Sequence, residues 1–360
     1  MRIAGAGAMG VAAAQELAAR GYDVTIADPG PLPRPEAAST DISKIVRMDY
    51  GADVLYTEMM EGAIPRWRAW SARWGGGLFH EDGFLLLSRA KLTEGTFEGD
   101  SLRTLERRGH RVERLDAEAI ARRFPAWTGY VDGYLNPAAG WVESGRALSR
   151  MIDDAKSAGV RFATGAAEDA DLYAAGAWTP KLLPHLSEAL WAVAQPVFHL
   201  RPRDPSAWRP PAFTVWAADI AATGWYGFPA NADGIVKIAH HGPGRRVDPD
   251  APRTIVPEDE ERLRAFLRAS LPGLADAPLA HAKTCLYCDS FDGDFWIGED
   301  ASSPGRFVVA GDSGHGFKFA PVIGAVIADA MEGMPSRFAS RFAPRAPSGR
   351  SAEDARFGLS

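Results

Sequence analysis

Three glycines close to the N-terminus constrain the fold more than any other feature of this chain. Gly5, Gly7 and Gly10 form a G-x-G-x-x-G motif between a short apolar strand that ends near Ala4 and a helix that runs from about Ala8 to Arg20. In this context the first glycine makes a tight turn, the second lets the backbone approach a pyrophosphate, and the third lets the helix pack on the strand. Free N–H groups and the helix dipole favour an anion at that helix N-terminus. The motif therefore predicts an adenine dinucleotide.

The next strand supports this interpretation. An apolar run over 24–27 ends at Asp28, and a carboxylate at that place can bind a ribose hydroxyl. The proline-rich segment 29–38 then predicts a loop. The first part of the chain is thus predicted to form a βαβ unit.

Patterns farther along the chain predict a second, different layer. Helical spacing predicts a helix over 54–74, which Pro65 should kink or split. Strand-like runs between 195 and 240, separated by prolines and glycines, indicate a mixed or antiparallel sheet. The segment 172–178, a buried strand that runs into a glycine turn, and the core strand 307–311 return to the nucleotide-binding fold. The fold class that we predict is α/β, α+β for the whole chain, with a discontinuous Rossmann-like domain and an inserted sheet domain.

The expected domains follow from these returns of the chain. The dinucleotide-binding domain comprises three segments, the substrate domain comprises two, and a loosely held tail follows. The dinucleotide-binding domain covers 1–75, 140–190 and 280–340. The substrate domain covers 76–139 and 191–279, and the tail covers 341–360.

Composition excludes several classes of protein. A net charge of -6 over 360 residues gives no sign of a nucleic acid or anionic membrane partner. No apolar run is long enough to span a bilayer, and the N-terminus enters the glycine motif with no room for a signal peptide. We therefore expect a cytoplasmic protein. The two cysteines, Cys285 and Cys288, exclude a disulfide framework.

The C-x-x-C spacing of these cysteines leaves several interpretations open. With His281 they would still leave a zinc ion one ligand short, and no second C-x-x-C exists in the chain. We therefore expect no metal site. Two structural thiols are one alternative, and a thiol bonded to a flavin is another.

The segment 313–319, S-G-H-G-F-K-F, lies between a predicted strand and a predicted helix. Gly314 and Gly316 expose backbone N–H groups there, which suits the electron-rich edge of a flavin ring. Lys318 lies between two phenylalanines and needs an anionic partner if it is buried. The alternative is an ammonium group that reaches solvent.

Two further cations are candidates for chemistry. Arg47 can clamp a carboxylate through two hydrogen bonds, and the alternative is a local salt bridge to Asp49 in a solvated loop. Lys237 lies in the apolar strand 235–239, and the alternative is a side chain that faces outward.

Together these segments resemble the monomeric sarcosine oxidase group within the D-amino-acid-oxidase-like flavoproteins. That group also contains N-methyltryptophan, L-pipecolate, saccharopine and fructosyl-amino-acid oxidases, and the resemblance extends from Ile3 to about Ala343. The segment S-K-I-V-R-M-D-Y-G at 43–51 is most similar to the last three. The most specific motifs are S-G-H-G-F-K-F at 313–319, Y-G-F-P at 226–229, C-L-Y at 285–287 and A-G-A-W at 175–178.

The resemblance implies roles for individual residues. Cys285 matches the cysteine that bonds covalently to FAD, and Lys237 matches a lysine near flavin N5 that assists oxygen reduction. Arg47 and Lys318 match the pair that binds the substrate carboxylate. The residues that match the lining of the substrate cavity are Tyr226, His241 and Tyr287. The residues implied in cofactor binding are Gly5, Gly7, Gly10, Asp28, Ser43, Lys44, Gly176, Trp178, Cys285, Gly314, Gly316, Phe317 and Lys318.

The implied activity is that of an FAD-dependent amine oxidase. The substrate would be a secondary amino acid, either N-alkylated or cyclic, and the products an imine and hydrogen peroxide. We expect a monomer that uses molecular oxygen and a small-molecule substrate. The alternatives are a flavin dehydrogenase with another acceptor and a non-catalytic flavin-binding protein. The last alternative arises because about nine residues replace the family's β-meander between the strands near 162 and 172.

Overall fold

The structure, a computed structural model, describes residues 1–166 and 169–347. Residues 167 and 168 of the shortened link and residues 348–360 of the expected tail lie outside the described residues. The strands are, in chain order, β1 (Arg2–Ala4), β2 (Thr25–Asp28), β3 (Lys44–Val46), β4 (Phe79–His80), β5 (Phe84–Ser88), β6 (Glu113–Asp116), β7 (Asp132–Asn136), β8 (Gly140–Val142), β9 (Arg161–Thr164), β10 (Leu172–Tyr173), β11 (Leu190–Leu200), β12 (Val215–Ala218), β13 (Trp225–Phe228), β14 (Val236–His240), β15 (Arg245–Arg246), β16 (Leu279–Ser290), β17 (Trp296–Glu299) and β18 (Phe307–Ala310).

The helices complete the described chain. They are α1 (Ala8–Ala19), α2 (Val54–Arg73), α3 (Phe97–Arg107), α4 (Ala117–Arg123), α5 (Ser144–Ser157), α6 (Thr179–Leu182), α7 (Ile220–Thr223), α8 (Pro257–Ser270), α9 (Ala320–Met331) and α10 (Ala339–Phe342). Among the described residues, no helix combines the length and the apolar character that a membrane crossing needs.

The first sheet is built around the N-terminal strand. Its order is β17-β18-β10-β1-β2-β9, and β1 pairs in parallel with both β2 and β10. The order of the strands therefore reverses at β1: the chain places β2 on one side of β1 and later places β10 on the other side. In open α/β sheets this switch point, at the carboxyl ends of the strands, is where ligands bind. The predicted βαβ unit and its return to the fold are confirmed.

A second sheet carries most of the remaining strands. Its order is β15-β11-β14-β13-β12-β5-β7-β6, and the long strand β16 pairs with β11 from Leu190 to Leu200. The pairing of β12 with β5 is parallel and the others are antiparallel, so the sheet is mixed as predicted. A small third sheet, β3-β8-β4, lies beside it. The α/β class is confirmed, whereas the expected domain boundaries stay a prediction.

One local expectation is wrong in part. Helix α2 runs unbroken from Val54 to Arg73 with Pro65 inside it, so the proline does not split it. Packing of its buried face, which includes Trp67, stabilises the helix there. In the segment 172–178 the strand ends at Tyr173 and the chain turns at Gly176 into a 3₁₀ turn over Gly176–Trp178, so the expected strand and glycine turn are confirmed.

The described part of the C-terminal tail is not loosely held. Helix α10 places Phe342 with no exposed surface against Phe295 and Tyr56, at centroid distances of 5.1 and 5.7 Å. Arg341 donates to Asp294, and Arg345 pairs with Asp292. The expectation is wrong for these residues because the Phe342 ring belongs to the hydrophobic core.

We predict that Phe342→Ala lowers the free energy of unfolding by about 3–5 kcal/mol, since it removes a fully buried ring. The exposed residue Met334 offers a matched control, and Met334→Ala should change that free energy by about 0.5 kcal/mol or less. Denaturant unfolding of the holoprotein measures both. Equal stability of the two variants would contradict the buried position of Phe342.

Candidate active site and cofactor cavity

The glycine turn packs tightly at two positions and leaves space at the third. Gly5 has a φ of +104°, and a Cβ there would lie 2.5 Å from the carbonyl oxygen of Ala174. A Cβ on Gly10 would lie 2.0 Å from the carbonyl oxygen of Gly5. A Cβ on Gly7 would meet only Ser39 Oγ, at 3.5 Å. Packing of the protein thus requires glycine at positions 5 and 10, whereas the bare backbone at Gly7 leaves room for a ligand.

A cavity of about 590 Å³ opens above this turn, and we call it the cofactor cavity. Its size is that of ordinary ligand pockets. Its wall includes Gly7, Asp28, Trp178, Leu286 and Asp312. A helix N-terminus for a pyrophosphate and a carboxylate for a ribose lie on the same cavity. The residues present therefore fit an adenine dinucleotide.

Asp28 braces the turn as well as facing the cavity. Its Oδ2 accepts from the Ala6 N–H at 2.9 Å, and its Oδ1 accepts from the Gly30 N–H at 3.2 Å. Each carboxylate oxygen retains a second lone pair for a ribose hydroxyl.

The predicted residues Gly176 and Trp178 lie on the same cavity. A Cβ on Gly176 would meet nothing within 4 Å. Trp178 donates from its ring nitrogen to Asp250 at 2.7 Å, and the Arg34 guanidinium lies 4.2 Å from the centre of its ring. The indole is thus held by partners on both its edge and its face.

Cys285 lies on β16, next in sequence to Leu286 in the wall of the cofactor cavity. Lys44 lines a second, inner pocket, and its Nζ lies 3.9 Å from the buried Cys285 Sγ. Burial opposes the charge of Lys44, but the neighbouring Cys285 and Asp41 hold the pKa of Lys44 above its usual value.

Cys288 lies in different surroundings. It packs in the apolar cluster of Trp191 and Trp296, whereas Cys285 belongs to the cluster of Tyr287. Burial raises the pKa of the Cys288 thiol, and both cysteines are free. A Cys285–Cys288 dithiol site is therefore wrong, since side chains three residues apart on a strand face opposite ways.

The inner pocket, which we call the central pocket, has a volume of about 70 Å³. Its lining includes Lys44, Arg47, Tyr226, Phe228, His241 and Lys318. The structure thus brings together predicted residues from four separate segments of the chain.

Arg47 places an uncompensated cation in the central pocket. Its guanidinium carbon lies 5.1 Å from the centre of the Tyr50 ring, 5.6 Å from that of Phe84 and 5.7 Å from that of Phe97. Its Nη1 is buried and has no hydrogen-bond partner among the described residues. A buried guanidinium nitrogen without a partner is costly, and a ligand carboxylate would satisfy it.

The alternative of a local salt bridge from Arg47 to Asp49 is wrong. Asp49 is fully buried and accepts from the Tyr134 hydroxyl at 2.6 Å and from the Asn136 amide at 3.3 Å. Burial raises the pKa of Asp49, although Arg47 acts in the other direction.

Lys318 lies beside Arg47 and does not reach solvent, so the snorkelling alternative is wrong. Its side chain is buried, and its Nζ donates to the Tyr50 hydroxyl at 2.8 Å and to the His315 carbonyl at 2.9 Å. Burial, and then the charge of Arg47, hold the pKa of Lys318 well below its usual value. An anion between the two cations would relieve both effects.

Tyr226 and His241 line the central pocket, whereas Tyr287 packs against His241 and is not among the lining residues. The Tyr226 and His241 rings lie 6.4 Å apart, and the Tyr287 ring lies 5.7 Å from the His241 ring. The Tyr287 ring rests on Gly314, where a Cβ would lie 2.2 Å from a ring carbon. Gly314 therefore allows this tyrosine to pack beside His241.

The other two predicted cofactor residues of this segment lie between the cavities. A Cβ on Gly316 would meet Met9 Cε at 2.6 Å, which ties this turn to the start of α1. Phe317 lines the central pocket and stacks on Trp67 at 5.8 Å.

Lys237 is buried, so the outward-facing alternative is wrong. Its Nζ donates to Asp41 Oδ2 at 2.7 Å and to the Ser43 carbonyl at 2.6 Å, and it lies 4.7 Å from the centre of the Phe228 ring. Phe228 also lines the central pocket, so Lys237 lies directly behind that wall. Burial lowers the pKa of Lys237 to about 8, against the attraction of Asp41. The Ser43 hydroxyl is buried and has no partner among the described residues.

Asp41 is a site residue that the sequence analysis missed. Besides Lys237, its carboxylate contacts Lys283 Nζ at 3.2 Å and His199 Nε2 at 3.5 Å. Lys237 and nearby cations hold the pKa of Asp41 well below its usual value despite the opposing effect of burial. A lysine inside an apolar strand signals such a partner, but the spacing of the sequence does not identify it.

A wider cavity of about 670 Å³, which we call the outer cavity, adjoins the central pocket. Arg47, His241 and His315 line both spaces. Asp53 and Arg341 lie on the far side of the outer cavity. A ligand bound at Arg47 can therefore extend well beyond the central pocket.

Comparisons with known proteins all find oxidases or oxidoreductases. The model of the family described as DAO, FAD dependent oxidoreductase, matches residues 3–330. The chain is 29% identical to N-methyl-L-tryptophan oxidase of Salmonella arizonae, covering 93% of this chain and 95% of that protein. It is 26% identical to monomeric sarcosine oxidase of a Bacillus species, covering 90% of each. The crystal structure of Amadoriase I from Aspergillus fumigatus, a fructosyl amine:oxygen oxidoreductase, superposes with a TM-score of 0.80 at 27% identity over 98% of this chain and 91% of that one.

We predict that carboxylate binding at Arg47 is accompanied by proton uptake at Lys318. Burial and the charge of Arg47 hold the pKa of Lys318 well below its usual value, and a bound anion would raise that pKa and so favour the protonated form. Calorimetric titration with acetate in two buffers of different ionisation enthalpy measures the uptake.

Lys318→Met should abolish the uptake and weaken acetate binding about 10- to 100-fold, the loss of one hydrogen bond to a charged group. Lys91→Met, at an exposed lysine, is the control. Wild-type binding with no proton uptake would show that Lys318 does not face the ligand.

Proposed function

The chain belongs to the DAO family of FAD-dependent oxidoreductases, and on that premise we propose that it oxidises a secondary amino acid, N-alkylated or cyclic, with molecular oxygen. The products are an imine and hydrogen peroxide. The names of its relatives support this class, since they include oxidases of sarcosine, N-methyl-L-tryptophan and fructosyl amines.

The observation that carries the proposal is the unpartnered guanidinium nitrogen of Arg47. It lies in the central pocket beside Lys318, and neither cation has a carboxylate partner among the described residues. An amino acid carboxylate would bind both. This binding fixes the orientation of the carbon that loses hydrogen, which is catalysis by positioning.

FAD would be held by Gly5, Gly7, Gly10 and Asp28 at its dinucleotide end, and by residues of 314–317 with Lys44 at its ring end. When bound, FAD accepts a hydride from the substrate and delivers electrons to oxygen. The protein contributes orientation and charge. Two cations beside the substrate disfavour an ammonium group, so the amine binds in the neutral form that oxidation requires.

Lys237 is placed to assist the oxygen step from behind the pocket wall. At neutral pH it is mostly protonated, because its pKa of about 8 lies above that pH. Asp41 and the Ser43 carbonyl hold the ammonium group in place. A fixed positive charge stabilises negative charge that develops on oxygen as it is reduced.

The size of the outer cavity bears on the substrate. The central pocket alone, about 70 Å³, holds only a few atoms, whereas the outer cavity adds about 670 Å³. Its wall combines aromatic rings, such as Tyr56 and Phe97, with carboxylates such as Asp53. This space suits an amino acid with a large side chain or N-substituent.

Anaerobic reduction tests the proposed function. Secondary amino acids added one at a time to the yellow holoprotein should bleach the flavin absorbance, and admission of air should restore it. Turnover with an artificial acceptor but not with oxygen would favour a dehydrogenase. A holoprotein that no secondary amino acid bleaches would contradict the proposed reaction, and a chain that takes up no FAD would favour a non-catalytic role.

We also propose that the flavin is bonded covalently to Cys285, because Cys285 is next in sequence to Leu286 of the cofactor cavity and its Sγ lies 3.9 Å from Lys44 Nζ at the central pocket. Flavin should remain with the wild-type protein after denaturation, and Cys285→Ala should release it. Cys288→Ala is the matched control and should retain the bond, since Cys288 faces a separate apolar cluster. In-gel flavin fluorescence and mass spectrometry measure attachment, and release from the wild type would contradict the bond.

A further inference from the structure

His199 on β11 is a buried histidine that the steps above do not use. Its residue is 8% exposed, and its Nε2 lies 3.5 Å from Asp41 Oδ1. That nitrogen makes no hydrogen bond of acceptable geometry to any described residue. Asp41 binds Lys237 through its other oxygen, at 2.7 Å. One carboxylate therefore lies between the imidazole and the ammonium group.

We propose that His199 is a positioning residue that exchanges protons between solvent and the Asp41–Lys237 pair, and so returns to Lys237 the proton that oxygen reduction consumes. This inference rests on the proposed oxidase function. It assigns a role to a side chain that touches neither the substrate nor the flavin.

The proton balance requires such an exchange. The hydride that leaves the substrate carbon carries two electrons and one proton, and leaves an iminium ion. Oxygen takes up those two electrons, that proton and one further proton to become hydrogen peroxide. The iminium ion releases its N–H proton to solvent as the imine forms. If Lys237 supplies the further proton, solvent must resupply Lys237, which is 1% exposed.

The surroundings of His199 suit a group that passes protons on without retaining them. Asp41 faces it from the loop before β3, Lys237 from β14, and Lys283 and His281 from β16. Burial lowers the pKa of His199, with the two lysines acting in the same direction and Asp41 against them. A neutral imidazole can accept at one nitrogen while it donates at the other.

A route to solvent lies on the other side of His199. The His281 ring is 5.5 Å from the His199 ring, centre to centre, and His281 is exposed. Lys283 also contacts Asp41, at 3.2 Å, and is partly exposed. Histidine is the side chain that takes up and releases protons most readily near neutral pH. The geometry therefore favours the imidazole as the exchanging group.

Stopped-flow reoxidation of the reduced holoenzyme tests the role. His199→Gln should slow the reaction with oxygen on the order of tenfold, less than the loss of a direct general acid. Added imidazole should restore the rate, and anaerobic reduction by substrate should remain unchanged. His185→Gln, at a histidine paired with Asp300, is the matched control. His199→Asn serves if the glutamine variant does not fold.

Other outcomes overturn the proposal. Reoxidation at the wild-type rate would do so, as would equal slowing of both half-reactions without imidazole rescue, which is the behaviour of a structural residue. A rescuable defect in Lys283→Gln but not in His199→Gln would place the route at the lysine instead. If the wild-type enzyme is reduced by amines but not reoxidised by oxygen, the oxidase function itself fails, and that result is distinct from the others.

Discussion

The site depends on the cost of burying positive charge. Removing a cation from water costs several kcal/mol unless an anion compensates for the lost hydration. Four cations lie in or next to the central pocket: Lys44, Arg47 and Lys318 line it, and Lys237 lies beside Phe228 of its wall. Asp41 compensates Lys237, and the Cys285 sulfur lies beside Lys44. Arg47 and Lys318 have no carboxylate partner among the described residues. An anion that binds beside them would therefore compensate their positive charge.

The features that the sequence predicts well are those that neighbouring residues determine. The glycine turn could be recognised because Gly5 and Gly10 are required by contacts within a single βαβ unit. Asp28 follows for the same reason, since the end of β2 lies beside that turn. Helix α2 could be predicted from apolar periodicity, which reflects burial of one face.

The features that the sequence does not predict depend on distant partners. Asp41 and Lys237 are 196 residues apart, and only the folded sheets bring them together. The burial of Lys318 and the free nitrogen of Arg47 likewise depend on aromatic residues of other segments. Tertiary packing also overrides a local rule in α2, where Pro65 lies inside a continuous helix.

The wall of the outer cavity contains residues from early and from late in the chain. Arg341 of α10 binds Asp53, which lies 288 residues earlier at the start of α2. The ribosome makes the N-terminal part first, so a nascent chain holds the glycine motif long before this wall exists. A product truncated before α10 would lack the Arg341 ion pairs and the buried ring of Phe342. Such a product would be less stable than the full chain and a better target for cellular proteases.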